Sequence, residues 1–379
     1  MIYFDNAATT FPKPDCVRCA VMNSLRCFAA NPGRAGHRLS ARAAERVFEA
    51  RESLASFFGG KTERTVFTLN CTHAINFALK GVLRQGDHVI ISSLEHNAVL
   101  RPLEAMKEAG TITFDVARVE PQSEPQTLEN VRSLIRPETR LLFVTHVSNV
   151  FGTVLPVTAL SALVQEHGLL FGLDAAQSAG VYDLNMETLG LDLLCLPGHK
   201  GLYGPMGTGA LLLSDRVTLR TLIEGGTGSL SLQRKQPAFL PDALESGTLN
   251  LPGICGLGAG VSFVRRIGTA AIRSHEEELI RLLREDLSVI PGVETFEQMA
   301  GGTLLSLRVA GQAAEETGRL LDRCGFAVRA GYHCAALAHS THGTADIGTV
   351  RVSPSVFSTN NQIKNLSFSL NQIALRKII

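Results

Sequence analysis

The chain has 379 residues, enough for about two domains with ample core, and 45% of them are hydrophobic. Its formal charge of +1 gives no electrostatic case for binding nucleic acid or an anionic membrane. Its longest apolar runs are strand-sized, short of the ~20 residues a membrane helix needs.

The opening MIYFDNAATT lacks the basic and apolar regions of a secretion signal. Residues 1–14 read as extended, because Pro12 and Pro14 oppose a helix. A helix to about Phe28 and a turn-rich loop over 31–37 follow. Ser40 is the expected cap of the next helix, whose Ala43, Val47, Ala50, Leu54, Phe57 and Phe58 recur at steps of three and four until Gly59 and Gly60 stop it.

Strands are then expected at 65–69, 88–92, 112–116, 141–145, 169–173, 191–196 and 209–213. Helices fit between them at 73–83, 97–109, 127–135 and 157–167. Near-continuous apolar strands alternating with helices predict an α/β fold, with a mostly parallel sheet covered on both faces and ligands outside its carboxyl ends. The composition changes near Pro252 and Gly253. Helical patterns at 253–267 and 269–289 follow, then a strand near 303–309, a helix at 313–324, short strands near 326–329 and 349–352, and a last helix at 361–377. These form a smaller α+β unit.

The chemistry falls at strand ends. LDLLCLPGHKGLYGPMGTG (191–209) delivers Lys200 from a buried strand onto a glycine-rich loop. A lysine held there can lose its proton near neutral pH and attack an aldehyde. Asp174 stands directly after strand 169–173, where a carboxylate can hold the ring nitrogen of pyridoxal phosphate. Asn70-Cys71-Thr72-His73 opens a helix whose free N–H groups, with the Thr72 hydroxyl, make a phosphate seat; capping by Thr72 is compatible with that role. His96, after strand 88–92, offers a flat ring to stack on a pyridine. A tethering lysine, ring-nitrogen carboxylate, phosphate seat and stacking ring together point to a pyridoxal 5'-phosphate site.

The eight cysteines (16, 19, 27, 71, 195, 255, 324 and 334) share no repeated spacing, which reads as reduced thiols in a cytoplasm. Cys16 and Cys19 lack a second pair for zinc and read as helix surface. Cys324 reads as a buried small hydrophobe. Cys334 lies in RAGYHCA (329–335), where Arg329 and His333 as cations would lower its pKa. His333, Cys334, His339 and His342 have a spacing open to zinc, but the small residues around Gly343 suggest a mobile loop, and no metal is assigned.

The stretches YFDNAATT (3–10), NPGRAGHRLS (31–40), EHNAV (95–99), SNVFGTVLPV (148–157), LDAAQSAG (173–180), GHKGLYGPMGTG (198–209), ESGTLN (245–250) and RAGYHCA resemble, in order, the class V aminotransferase family in its cysteine desulfurase and selenocysteine lyase branch. The resemblance implies a fold-type I pyridoxal phosphate-dependent transferase: a large unit over 15–254 carrying a seven-stranded, mostly parallel sheet, and a small unit from 1–14 and 255–379. It implies Lys200 as Schiff-base lysine, Asp174 on the ring nitrogen, Gln177 on the ring hydroxyl and His96 stacking. Cys71 lies beside the cofactor, and Thr72 and His199 bind its phosphate, joined by Thr248 from a second subunit of a homodimer. Asn149, Arg329, Arg351 and Ala8 are placed to hold the substrate, with Arg351 as a bidentate fork for its carboxylate.

The activity so implied converts L-cysteine to L-alanine and leaves a persulfide on Cys334. Selenocysteine is a second candidate substrate; an aminotransferase or C–S lyase that ignores Cys334 is the rival within the fold. Only 16 residues separate Cys334 from Arg351, which resembles the group that relies on an activator protein or reductant. Two departures stand out. Pro197 replaces a usual Ser or Thr hydroxyl at the phosphate, and His73 replaces an acidic or small residue beside the cofactor.

Overall fold

Seven short apolar segments pair into one sheet in the order Thr65–Thr68, Gly209–Leu213, Leu193–Pro197, Leu170–Asp174, Thr139–Thr145, His88–Ser92 and Thr113–Ala117. Gly209–Leu213 runs antiparallel to both neighbours, and every other pair is parallel. The computed structural model describes residues 1–32, 36–296 and 302–376. Residues 33–35 of the loop expected at 31–37, and residue 377 of the last helix, lie outside them.

Side chains along each strand alternate between two cores. Ile90, Leu142, Val144, Leu194 and Leu196 face one, packed against Val47, Leu54 and Leu257 of two long helices. Val89, Ile91, Leu141, Phe143 and Leu193 face the other, under helices Cys71–Val82 and Asn97–Glu108. Both faces are therefore dry, which is why these strands read as apolar runs instead of alternating ones. The packing is tight at Gly172, where an added Cβ would lie 2.3 Å from Phe143 Cδ2. Gly172→Ala should cost about 1–3 kcal/mol by overpacking, read as a lower denaturant midpoint at unchanged slope.

A second, antiparallel sheet orders Arg329–Gly331, Thr349–Val352, Leu305–Val309 and Val293–Thr295. Helices Thr269–Ser288, Ala314–Arg323 and Asn360–Ala374 cover it through a core that includes Leu283, Leu321 and Leu366. The chain's start joins this part: Ile2–Tyr3 pairs in parallel with Phe326–Ala327, and Asp5 bridges Ser353. The single strand expected at 326–329 is two, Phe326–Ala327 and Arg329–Gly331, each in a different sheet. No described helix is long and apolar enough to cross a membrane.

Three local expectations are corrected. Ser40 does not cap its helix; His37, extended at φ −115°, accepts from Ser40 N through Nδ1, and the helix runs Arg38–Phe57. Asn70, not Thr72, caps Cys71–Val82 by accepting from His73 N at 2.9 Å. The segment expected to be a mobile loop contains a helix, Ala336–Thr341, with His339 buried and its Nδ1 2.7 Å from Thr344 Oγ1.

Candidate active site

Strands Thr65–Thr68, His88–Ser92, Thr139–Thr145, Leu170–Asp174 and Leu193–Pro197 end on the same edge of the sheet, and the residues just beyond them converge. Cys71, Thr72, His96, Asn149, Asp174, Gln177, His199 and Lys200 line one cavity there. The chain returns through this edge at Gly209, where a Cβ would lie 2.7 Å from the Asn70 carbonyl carbon and 2.9 Å from Leu196 O. Only glycine lets the reversed strand pass between the lysine loop and the helix opened by Cys71.

Lys200 carries its amine inside the protein, and burial is the main cause holding its pKa below 10.5; Asp174 and Cys71 oppose the shift. Asp174 is buried where its strand ends, with Oδ1 accepting from Ala176 N at 2.8 Å and from Cys71 Sγ at 3.4 Å. Burial pushes the Cys71 thiol up, so it stays protonated as a donor to that carboxylate. The peptide before Lys200 is braced by the N-terminal segment. His199 O accepts from Lys13 Nζ (2.7 Å), Thr9 Oγ1 (3.1 Å), Thr10 N (3.1 Å) and Thr10 Oγ1 (3.2 Å).

The fit to a phosphate is visible at the other end of the cavity. The helix Cys71–Val82 points its N-terminus there, and the N–H groups of Cys71 and Thr72 lack intrahelical acceptors. His199 Nδ1 is buried without a partner among the described residues, and burial beside Lys200 and Lys13 pushes its pKa down to about 4. An anion would answer both groups. Pro197 lines the same wall and offers no hydroxyl. His73 points its Nδ1 at Leu69 N (3.2 Å) and packs its ring 4.3 Å from Phe77.

His96 caps the helix Asn97–Glu108, with Nδ1 accepting from Ala98 N at 3.0 Å. That bond places the imidazole proton on Nε2, and burial lowers its pKa, which keeps the ring neutral at pH 7. Beneath it lies a residue the sequence reading passed over. Glu95 is fully buried, accepts from Ser92 Oγ and from Thr145 N (2.8 Å), and is pushed up to about 8 by burial. Its place directly before His96 in EHNAV was the only available signal.

The loop of Cys334 docks onto this cavity from the second sheet. Asn97 N donates to Cys334 O at 2.8 Å, and Asn149 Nδ2 donates to His333 O at 2.7 Å. Cys334 is exposed, and both His333 and Cys334 have positive φ, +49° and +57°. His333 is not the expected cation. It is buried, its Nε2 is 3.0 Å from Thr349 Oγ1, and burial pushes its pKa down to about 2.

Arg351 is buried with its fork already engaged, NH2 on Asp5 Oδ1 and NH1 on Asn149 O, each at 2.8 Å, while Nε has no partner among the described residues. Asp5 was not picked out from sequence, although it is the one carboxylate in YFDNAATT. Arg329 is exposed opposite Arg351 in the sheet register. Ala8 turns back on Asp5 O (3.1 Å), and Gln177 Nε2 donates to Ala7 O (3.1 Å).

Thr248 is exposed and lines no part of its own chain's cavity. Its segment is anchored by Glu245, which pairs both oxygens with Arg51 (2.5 and 2.8 Å) and accepts from Phe67 N at 2.6 Å. Both side chains of the pair are nearly enclosed. Glu245→Ala should cost about 3–5 kcal/mol by stranding the arginine, measured by guanidinium unfolding.

Residues 2–366 match the family described as Aminotransferase class-V. A protein named probable cysteine desulfurase from Methanothermobacter thermautotrophicus is 34% identical over 98% of this chain and 94% of its own length. One named cysteine desulfurase from Salmonella agona is 31% identical over 98% and 93%. Among solved structures, the apo cysteine desulfurase of Thermococcus onnurineus NA1 superposes with a TM-score of 0.93 at 29% identity, covering 99% of this chain and 95% of that one. A cysteine desulfurase from Escherichia coli in an S-sulfonic acid form gives 0.88 at 26%, covering 100% and 95%. The chain belongs to the class V aminotransferase family.

Proposed function

We propose that the chain is a pyridoxal phosphate-dependent cysteine desulfurase, taking sulfur from L-cysteine onto Cys334 and releasing L-alanine. The observation that carries this is the docking of the Cys334 loop, through Asn97 and Asn149, onto the rim of the Lys200 cavity. The names of the relatives agree with it.

In this reading Thr72, His199 and the helix N-terminus at Cys71 hold the cofactor phosphate, Asp174 its ring nitrogen, Gln177 its ring hydroxyl, and His96 its face. Bound there, the cofactor supplies an electron sink for charge that develops at Cα. Arg351 and Asn149 orient the substrate carboxylate, with Arg329 and Ala8 at the same mouth. Lys200, kept short of its full basicity by burial, takes the proton from Cα. The Cys334 thiolate attacks the substrate sulfur. The Cβ–S bond breaks, an S–S bond forms, and Cβ takes a proton to give alanine. The large unit over 15–254 supplies the cofactor groups, and the unit of 1–14 and 255–379 supplies Cys334 and Arg351.

The working form is a homodimer in which Thr248 from a second copy completes the phosphate seat, a role supported by its exposure away from its own cavity. Eight unpaired thiols suit a reducing cytoplasm, and the short interval after Cys334 suits discharge by an activator protein or reductant.

Incubation with L-cysteine should yield alanine and add the mass of one sulfur to the Cys334 peptide. Cys334→Ala should keep the bound cofactor's absorbance and lose sulfide release from L-cysteine. Unimpaired release by that variant sinks the reading in favour of a lyase that ignores the thiol. Selenocysteine turnover, run in parallel, separates the two substrates.

A further inference from the structure

A second cavity, of ≈ 30 Å³, also has Lys200 in its lining. That is room for one or two waters. Lys200, Gln177 and Glu276, the last from helix Thr269–Ser288 of the second unit, line it together. Asn6, Thr10 and Thr303 supply further polar groups, so a water here has the partners it needs. Glu276 is 6% exposed, and its carboxyl makes no hydrogen bond or ion pair with any described residue. A buried carboxyl left so is costly unless it serves a purpose or is met by water.

We propose that Glu276 relays protons to Lys200 through water in this cavity. Glu276 Oε–H donates to water and water donates to Lys200 Nζ; the same path runs backward to restore the carboxyl. The relay rests on the reading above, in which Lys200 moves protons. That reaction needs it, because Cβ gains a proton beyond the one that Lys200 takes from Cα. The proton shed by Cys334 on becoming a thiolate keeps the balance.

Electrostatics supports the direction of transfer. Burial raises Glu276 well above its ordinary value, which favours the protonated form that a proton donor needs. Among the described residues, the ionisable groups that interact with it or share its cavity are Tyr182 and Tyr203, both kept neutral by burial, and Lys200. On its own helix, Arg273 is committed to Glu277 at 2.6 Å and His275 to Ser358 O at 3.0 Å. Glu276 acts through Lys200 and touches no substrate.

The test uses the cofactor-loaded parent with Glu276→Gln and Glu276→Asp. Glu276→Gln keeps the shape of the protonated acid and cannot release a proton. It should retain the cofactor absorbance and unfolding midpoint, and lose a protonated-carboxyl infrared band that the parent shows at neutral pH before any substrate is added. It should also exchange the Cα hydrogen of L-alanine with D2O about tenfold more slowly. Glu276→Asp should recover part of that exchange with the parent's pH dependence. Parental exchange in Glu276→Gln, a parent without the band or without exchange, or equal loss in both variants overturns the relay. Because L-alanine exchange needs no carbon–sulfur cleavage, intact exchange without alanine from L-cysteine overturns the desulfurase reading alone.

Discussion

Lys200→Met is expected to abolish turnover of L-cysteine while making the cofactor-free protein harder to unfold. The two effects share a cause. The amine is held inside the protein, where burial lowers its pKa below 10.5, so the unfolded chain binds a proton more readily than the folded one. Folding stability from this group therefore rises with pH across the window below 10.5, and is reduced at neutral pH. Methionine matches the stem and carries no charge to desolvate, so the variant's denaturant midpoint at pH 7 should exceed the parent's. The rate should fall by at least the roughly 10²–10⁴-fold that a positioned base contributes. A midpoint at or below the parent's would show that the lysine is not desolvated; appreciable turnover would remove it from the reaction.

Arg351→Gln should fail in a different way. Its guanidinium joins Asp5, Asn149 and the second sheet at one point, with Arg351 3% exposed. Removing the charge strands Asp5, at a cost of about 3–5 kcal/mol. It also takes the cation from the substrate carboxylate, so KM for L-cysteine should rise about tenfold to a hundredfold, as loss of a charge-assisted contact implies. Asp5→Asn separates these terms. It frees one arm of the fork, and should lower stability while leaving KM at or below the parental value. A raised KM in Asp5→Asn would mean that the carboxylate orients the arginine for substrate and does not compete with it.

Much of the large sheet was legible because each strand is an apolar run between turn residues; His88–Ser92 and Gly209–Leu213 fall where expected. The cavity was legible for a topological reason: residues following parallel strands share an edge, so a list of strand-end residues is nearly a list of neighbours. What failed depended on contacts distant in sequence. Asp5 and Arg351 are 346 positions apart. His333 looked like a cation because nothing local reveals that its ring is buried against Thr349. Thr72 was the expected cap, and the extended backbone that gives the role to Asn70 has no signature in the local sequence. Strand Val293–Thr295 is three residues long, too short to carry a periodic signal.

The grip of Thr9, Thr10 and Lys13 on the His199 carbonyl has a practical side. Trimming the first dozen or so residues, or fusing a bulky affinity tag there, would disturb the peptide that carries the key amine, although the cut is nearly two hundred positions away.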